Sequence, residues 1–518
     1  MQTLEVANQT PPLQGHNAFD ADPALRAALE REGAFWAIDR TREVGQLVAS
    51  EEAQAHSKRA QRNIPKLHTH DRYGNRIDAI EYDPSMHWLL RQGIERELHS
   101  LPWRDPQPGA HVARAAMFYL YNGLDTGPCC PFSINYAAVA TLRHDPAIAA
   151  EWEPRVTLPD YDNYVQAGMV MTEKQGGSDL RANSTQAVPQ GGGDYLITGH
   201  KWFCTHPVFG MFFTLAYAPG GIACFVAERP HPGFRLQRLK DKLGGRCLAS
   251  TEVEYDALPA RILGDEGRGI AVMATQINYT RLDTLLGVAG MIRRSVAEAT
   301  WHARNRMAFG RHLAGHPAMK AVLADLALES EAAMTASMRI ARSYDLDHEQ
   351  PFRRLATAVM KYYVCKRSAA ATSEALEVLG GNGYTEDFIQ AQMYRDSQIG
   401  TVWEGSGNVA ALDVLRAIQK EPECLDAFVD ECELGRGGHP ALDAHLDALS
   451  SLSLADPWRA RRTVEALALA LEASLLVRFA PEAVADAFCS SRLGDRGLAF
   501  GTLPHAEADT IIERTLEI

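Results

Sequence analysis

The sequence predicts an α+β multidomain protein in which a β domain lies between two helical domains and a further helical domain follows. Two observations predict it. At 518 residues the chain exceeds what one compact core supports, which implies roughly two to four domains. The texture also changes along the chain: helix-spaced apolar residues give way to short β-rich runs and then return. The zones are 1–164 (helical), 165–268 (β), 269–434 (helical bundle) and 435–518 (additional helices).

In the first zone Asp22 is placed to cap a helix over 22–38. Pro23 sits in its first turn, and Leu25, Leu29 and Phe35 recur near helical spacing. The second zone holds Tyr195-Leu-Ile-Thr, Met211-Phe-Phe-Thr-Leu-Ala-Tyr, Ile222-Ala-Cys-Phe-Val-Ala and Thr251-Glu-Val-Glu-Tyr. Gly191-Gly-Gly-Asp194 and Pro219-Gly-Gly221 separate some of these runs as turns. In the third zone Leu285, Val288, Met291, Ile292 and Val296 form one apolar helix face, and 321–346 holds another, as a bundle core requires. A break at Gly435-Arg-Gly-Gly-His-Pro440 precedes the last zone, whose main helix is expected over 460–479. No strand-GxGxxG-helix unit occurs, so any dinucleotide is held other than by a doubly wound sheet.

Composition narrows the function classes. Lys and Arg number 52 against 65 Asp and Glu, a net charge of -13, which disfavours a general polyanion binder. The nine cysteines show no zinc-like pairing, and an odd, unpatterned set reads as reduced thiols in a cytoplasmic protein. The opening Met1-Gln-Thr-Leu-Glu5 has neither the basic nor the apolar part of a secretion signal. The most apolar stretch, 466–480, contains Glu472 and Arg478, so no membrane span is expected.

Four runs carry chemistry. In Met169-Val-Met-Thr-Glu-Lys-Gln-Gly-Gly-Ser-Asp179, the paired glycines and Ser178 let main-chain N–H groups approach a phosphate, and Thr172 adds a donor. By itself this run reads equally well as a polar loop capping a strand. Gly199-His-Lys-Trp-Phe-Cys-Thr205 offers aromatic faces to a flat ring and a hydroxyl to its edge, or else is an ordinary strand with one buried aromatic. Glu377-Val-Leu-Gly-Gly-Asn-Gly-Tyr384 is a helix end opening into a glycine turn suited to close main-chain contact. The last run, Tyr394 to Asn408, ends Trp403-Glu-Gly-Ser-Gly-Asn408 and sets Glu404 in an apolar, tightly turning place.

Together with Arg306-Met-Ala-Phe-Gly310, these runs resemble, in order and separation, the signatures of the acyl-CoA dehydrogenase superfamily. Met171–Asp179, Arg238-Leu-Lys-Asp-Lys-Leu-Gly244, Trp403–Asn408 and the opening Asn8-Gln-Thr-Pro-Pro12 are similar in particular to its AidB branch. The resemblance covers essentially the whole chain and implies the acyl-CoA dehydrogenase fold. That fold has an N-terminal helical domain, a β-barrel-like middle domain and a C-terminal four-helix bundle, here with an extra helical domain.

It further implies FAD lying between β domain and bundle, in a homo-oligomer, expected to be a tetramer, whose neighbouring subunit completes the site. Met171, Thr172, Gly177 and Ser178 would face the flavin and its phosphates; Phe203 would lie against the ring and Thr205 near N5. Arg306 and Phe309 would reach the FAD of an adjacent protomer, with Glu377 and Gly381 near its adenosine half. Ser406 and Asn408 would hold the adenine side within the subunit. Glu404 falls at the position of the catalytic base and Arg281 beside the cleft. A carboxylate in water is too weak a base for a proton α to a thioester, and burial is the general way to strengthen one.

Two positions depart from the family pattern. Pro317 stands where the dehydrogenases commonly have a glutamine that contacts FAD across subunits, and Asn278 stands where short-chain members have an acidic group. Three functions remain in view: an acyl-CoA dehydrogenase, a DNA-associated protective flavoprotein, and an O2-using oxidase or monooxygenase. From Pro440 onward there are seven Arg, no Lys and twelve acidic residues, which weakens the DNA reading. Arg459, Arg461 and Arg462 are the only basic cluster there.

Overall fold

The structure is a computed structural model describing residues 5–449, 456–494, 497–504 and 506–518. Met1 to Leu4, with which the leader argument begins, lie outside the described residues. The chain divides into two compact units. One comprises Glu52–Gln107 and Asp125–Thr280; the other comprises Met1–Glu51, Pro108–Leu124 and Arg281–Ile518.

The first of these holds the sheet. A hairpin of β1 (Lys66–His70) and β2 (Arg76–Glu81) lies within the zone expected to be helical. The main sheet comprises β3 (Ala167–Val170), β4 (Gln186–Gly191), β5 (Asp194–Thr205), β6 (Met211–Ala218), β7 (Gly221–Glu228), β8 (Phe234–Leu239) and β9 (Ser250–Leu263). Its pairings run β6-β4-β5-β9-β7 and return to β6, so the strands close into a ring, as a barrel-like middle domain requires. The strands read from sequence fall within β5, β6, β7 and β9. β3, β4 and β8 were not distinguished: β3 and β8 are short, and β4 carries Pro189 and Gly191. Phe212, Phe225, Phe234, Leu236 and Tyr255 fill the interior, and the helices Thr126–Leu142 and Pro146–Val156 join a second core with Phe213 and Leu215.

The other unit is mainly helical. Asp22 accepts from the Leu25 amide and caps Pro23–Arg31. That helix stops short of the predicted 38 because Gly33 takes a φ of +85°, which only glycine adopts without strain; a short 3-10 turn, Phe35–Ala37, follows. The long helices are Gly269–Asn305 (from Arg281 onward in this unit), Pro317–Ser343 and Gln350–Val378, with Gly407–Lys420 beyond them. Leu285, Val288, Met291, Ile292 and Val296 are all buried, as their spacing predicts. Ala460–Phe479 is a helix, with the bounds expected. Arg114 and Asp283 form a fully buried pair inside this unit. Among the described residues no helix is long and apolar enough to cross a membrane.

Candidate active site

In the β unit the residues expected at the flavin converge on one bulge. β5 pairs with β9 through Lys201↔Val253 and then Cys204↔Thr251, so three steps on β5 match two on β9. The extra residue breaks strict alternation: Lys201 and Cys204 are buried while Phe203 is turned outward, 47% exposed. The amide of Trp202, inside this bulge, donates to the carbonyl of Thr172 at 2.7 Å, drawing the loop of Thr172, Gly177 and Ser178 onto the strand. Thr205 and Ser250 hydroxyls lie 3.2 Å apart, and the Lys240 ammonium sits 3.1 Å from the Trp202 ring centre and 4.9 Å from that of Phe203. An outward aromatic face, adjacent hydroxyls and a cation form a surface suited to a flat, electron-poor ring with anionic substituents.

The loop is set by a pair that sequence reasoning missed. Glu173 and Lys201 are fully buried and 2.9 Å apart. The Glu173 carboxylate also accepts from the amide and hydroxyl of Ser184 and of Thr185, at 2.6 to 3.2 Å. Burial opposes ionisation, but Lys201 and these donors outweigh it and hold the carboxyl far below its ordinary range. Lys201 is pushed down to about 8, burial prevailing over the attraction of Glu173. Gly177 has no room for a side chain, because a Cβ there would fall 2.5 Å from the Thr172 hydroxyl. Met171 packs against the apolar core of this unit, and its carbonyl accepts from Asn183 at 3.2 Å.

In the helical unit Glu404 lies in the turn before the Gly407–Lys420 helix, with a φ of +54°, followed by Gly405 at +98°. A non-glycine residue in this left-handed region is uncommon and persists where its surroundings enforce it. Lys361, 1% exposed on the Gln350–Val378 helix, donates to the carbonyls of Trp403 and Gly405 at 2.7 and 2.6 Å. Arg281 Nε donates to the carbonyl of Glu404 itself at 3.0 Å. Arg281 is fixed in turn by Asp413, 2.6 Å from its Nη1, and Asp413 also meets Arg354 at 3.0 Å. Burial favours the neutral acid at Asp413, yet the two guanidiniums prevail and hold its carboxyl below the usual range. Thus Arg281 is both the structural ion pair and a direct neighbour of Glu404. The indole N–H of Trp403 is buried with no hydrogen-bond partner among the described residues.

The remaining positions, Asn278 apart, belong to the same unit. Arg306 and Phe309 sit on a two-stranded hairpin, Met307–Ala308 with Arg311–His312, and Phe309 is 94% exposed at a φ of +50°. Asn8 holds this hairpin by exchanging hydrogen bonds with the Met307 main chain, and its carbonyl accepts from Arg306. Pro317 occupies the first turn of its helix, where its missing N–H is harmless. Glu377 and Gly381 are exposed at a helix end, and nothing approaches a Cβ placed on Gly381. Ser406 precedes the Gly407–Lys420 helix without a side-chain cap bond. Asn408 accepts from Arg461 at 2.8 Å, so one arginine of the C-terminal trio is already engaged. Asn278 is partly buried in the Gly269–Asn305 helix, on the portion belonging to the β unit.

A ring-closed β domain with an outward aromatic, and a helical domain in which buried cations clamp the main chain of a glutamate turn, are the features of an acyl-CoA dehydrogenase-type flavoprotein. Residues 8–163 match the adaptive response protein AidB N-terminal domain, 168–258 the acyl-CoA dehydrogenase middle domain, and 267–419 its C-terminal domain. AidB of Escherichia coli (strain K12) is 35% identical over 96% of this chain and 95% of its own length. Acyl-CoA dehydrogenase family member 11 of Caenorhabditis elegans is 28% identical over 80% of this chain and 72% of its own length. The crystal structure of Caenorhabditis elegans ACDH-11 in complex with C11-CoA superposes with a TM-score of 0.88, at 26% identity over 96% of this chain and 94% of that one. The chain belongs to the acyl-CoA dehydrogenase family, in its AidB branch. The family is FAD-dependent, and within the β unit the outward Phe203 and the crowded Gly177 fit that cofactor.

Proposed function

We propose that the protein is an FAD-dependent oxidoreductase acting on the CH–CH group of an acyl-CoA, with Glu404 as the base. The observation that carries this reading is the enforced left-handed turn that holds Glu404, each carbonyl from Trp403 to Gly405 being tied to a buried cation. In the reaction Glu404 takes the proton α to the thioester carbonyl while the β carbon loses hydride, leaving a carbon–carbon double bond. Bound FAD supplies the hydride acceptor at N5. Phe203 and Thr205 would hold the ring, the Thr172–Ser178 loop would meet the phosphates, and Arg281 fixes the main chain of the base. Arg306 and Phe309 serve a second copy of the chain, which accounts for so large an exposed aromatic. The C11-CoA bound by the nematode protein supports a medium-length acyl chain in the substrate panel. A DNA-associated role is less well supported, because Arg461 is held by Asn408 and the last zone is acidic.

The test is anaerobic titration of the purified holoprotein with saturated acyl-CoAs from short to medium length, watching the flavin spectrum. Bleaching is expected, and Glu404→Gln should slow it by roughly 10²–10⁴-fold, the usual contribution of a general base. A flavin that no acyl-CoA bleaches would sink the dehydrogenase reading. Rapid peroxide formation after chemical reduction would then point to oxygen chemistry.

A further inference from the structure

We propose that Lys361 is a positioning residue for Glu404: its buried ammonium bridges the carbonyls on either side and fixes the left-handed turn from which the carboxylate projects. This deepens, and rests on, the assignment of Glu404 as the base. The sequence shows a lone lysine in the apolar helical run Ala358-Val-Met-Lys-Tyr-Tyr-Val-Cys365. A charge in such a place is retained only where buried acceptors meet it. Here both acceptors come from one turn, at 2.7 and 2.6 Å, two residues apart, with Glu404 between them.

Lys361 spans the peptide groups flanking Glu404, and Arg281, from another helix, takes the carbonyl between. The positive φ of Glu404 is unfavourable for a residue with a side chain and persists only while its surroundings hold it. Without Lys361, two inward carbonyls lose their donor and the turn is free to relax towards ordinary φ. The carboxylate would then move off the line to the substrate α carbon.

The charge acts as well as the geometry. Burial pushes the Lys361 ammonium below its ordinary range; Cys365 and Glu404 favour the cation, while Arg281 and Lys366 oppose it. The titratable groups acting on Lys361 are Cys365 and Lys366 from its own helix, Arg281 from the Gly269–Asn305 helix and Glu404 itself, with Asp413 and Arg354 behind Arg281. A protonated Lys361 therefore favours an ionised Glu404.

The test uses full-length Lys361→Met, with Lys361→Gln as a milder variant that retains one donor should the first not fold. In the cofactor-free protein, hydrogen exchange of the 402–406 amides should quicken in Lys361→Met while the rest of its helix stays protected. In the holoprotein, kcat for flavin reduction should fall about 10- to 100-fold, the scale of a 1 Å misplacement. KM should change little, and the acid limb of the pH profile should move to higher pH. In a Glu404→Gln background Lys361→Met should cost nothing further. Unchanged exchange at the turn would overturn the clamp. A kcat within twofold of the parent with an unmoved acid limb would overturn the positioning role. If the parent flavin is not bleached by acyl-CoA but the turn still loosens, the clamp stands and the dehydrogenase reading falls.

Discussion

Glu173→Ala should cost this protein about 3–5 kcal/mol, although Glu173 performs no chemistry in the reading above. Glu173 and Lys201 have fully buried side chains 2.9 Å apart. Removing the carboxylate leaves Lys201 with only the carbonyls of Leu215 and Met171, at 2.8 and 3.4 Å, and strands the donors of Ser184 and Thr185. A buried charge without its counter-charge is the expensive state, so the single substitution is costly. Replacing both partners by uncharged side chains of similar shape, Glu173→Gln with Lys201→Met, should recover much of that loss. Guanidinium denaturation of the four proteins gives the cycle, with an expected coupling of at least about 2 kcal/mol. Because the same loop bears Thr172, Gly177 and Ser178, FAD affinity in Glu173→Ala should fall even where the protein remains folded. A loss below about 1 kcal/mol in Glu173→Ala, or a double variant no better than the single, would refute the argument.

Two further outcomes are expected. His111 and His206 are buried and their imidazoles are pushed down to about 3, burial being the main cause in both. The unfolded chain takes up these protons near 6.5 and the folded protein does not, so stability rises with pH. Lowering pH from 7 to 5 should cost about 2 kcal/mol per histidine, which denaturant midpoints across that range would measure. Replacing both by apolar residues should flatten part of that slope; an unchanged slope would contradict the assignment. Phe203→Ala should leave apoprotein stability within about 0.5 kcal/mol, because the ring is outward, but weaken FAD binding two- to tenfold, as read by flavin fluorescence titration.

Much of the candidate site is legible as a proposal from residues alone, for a local reason. The glycines at Gly176 and Gly177, the Trp202-Phe203 pair and the Trp403-Glu-Gly turn each act through main-chain freedom or side-chain type within a few residues. Lys361 and the Glu173–Lys201 pair were not singled out, because a charged residue in an apolar run has meaning only once its partner is known. Lys361 lies 43 residues before Glu404, and no periodicity links them. The β1–β2 hairpin escaped notice because its exposed, polar strands lack the apolar alternation of a buried face.

The sequence by itself determined the fold class, the family and the candidate base, since these rest on ordered motifs and on helical and strand periodicities that short stretches impose. The tertiary structure decided what holds the parts in place. It turned Phe203 outward through a bulge set by β9, tied Asn408 to Arg461, and gathered Arg281, Lys361 and Asp413 around one turn. Those contacts depend on charges brought together from distant helices. Their burial makes them strong, and no local pattern in the chain records it.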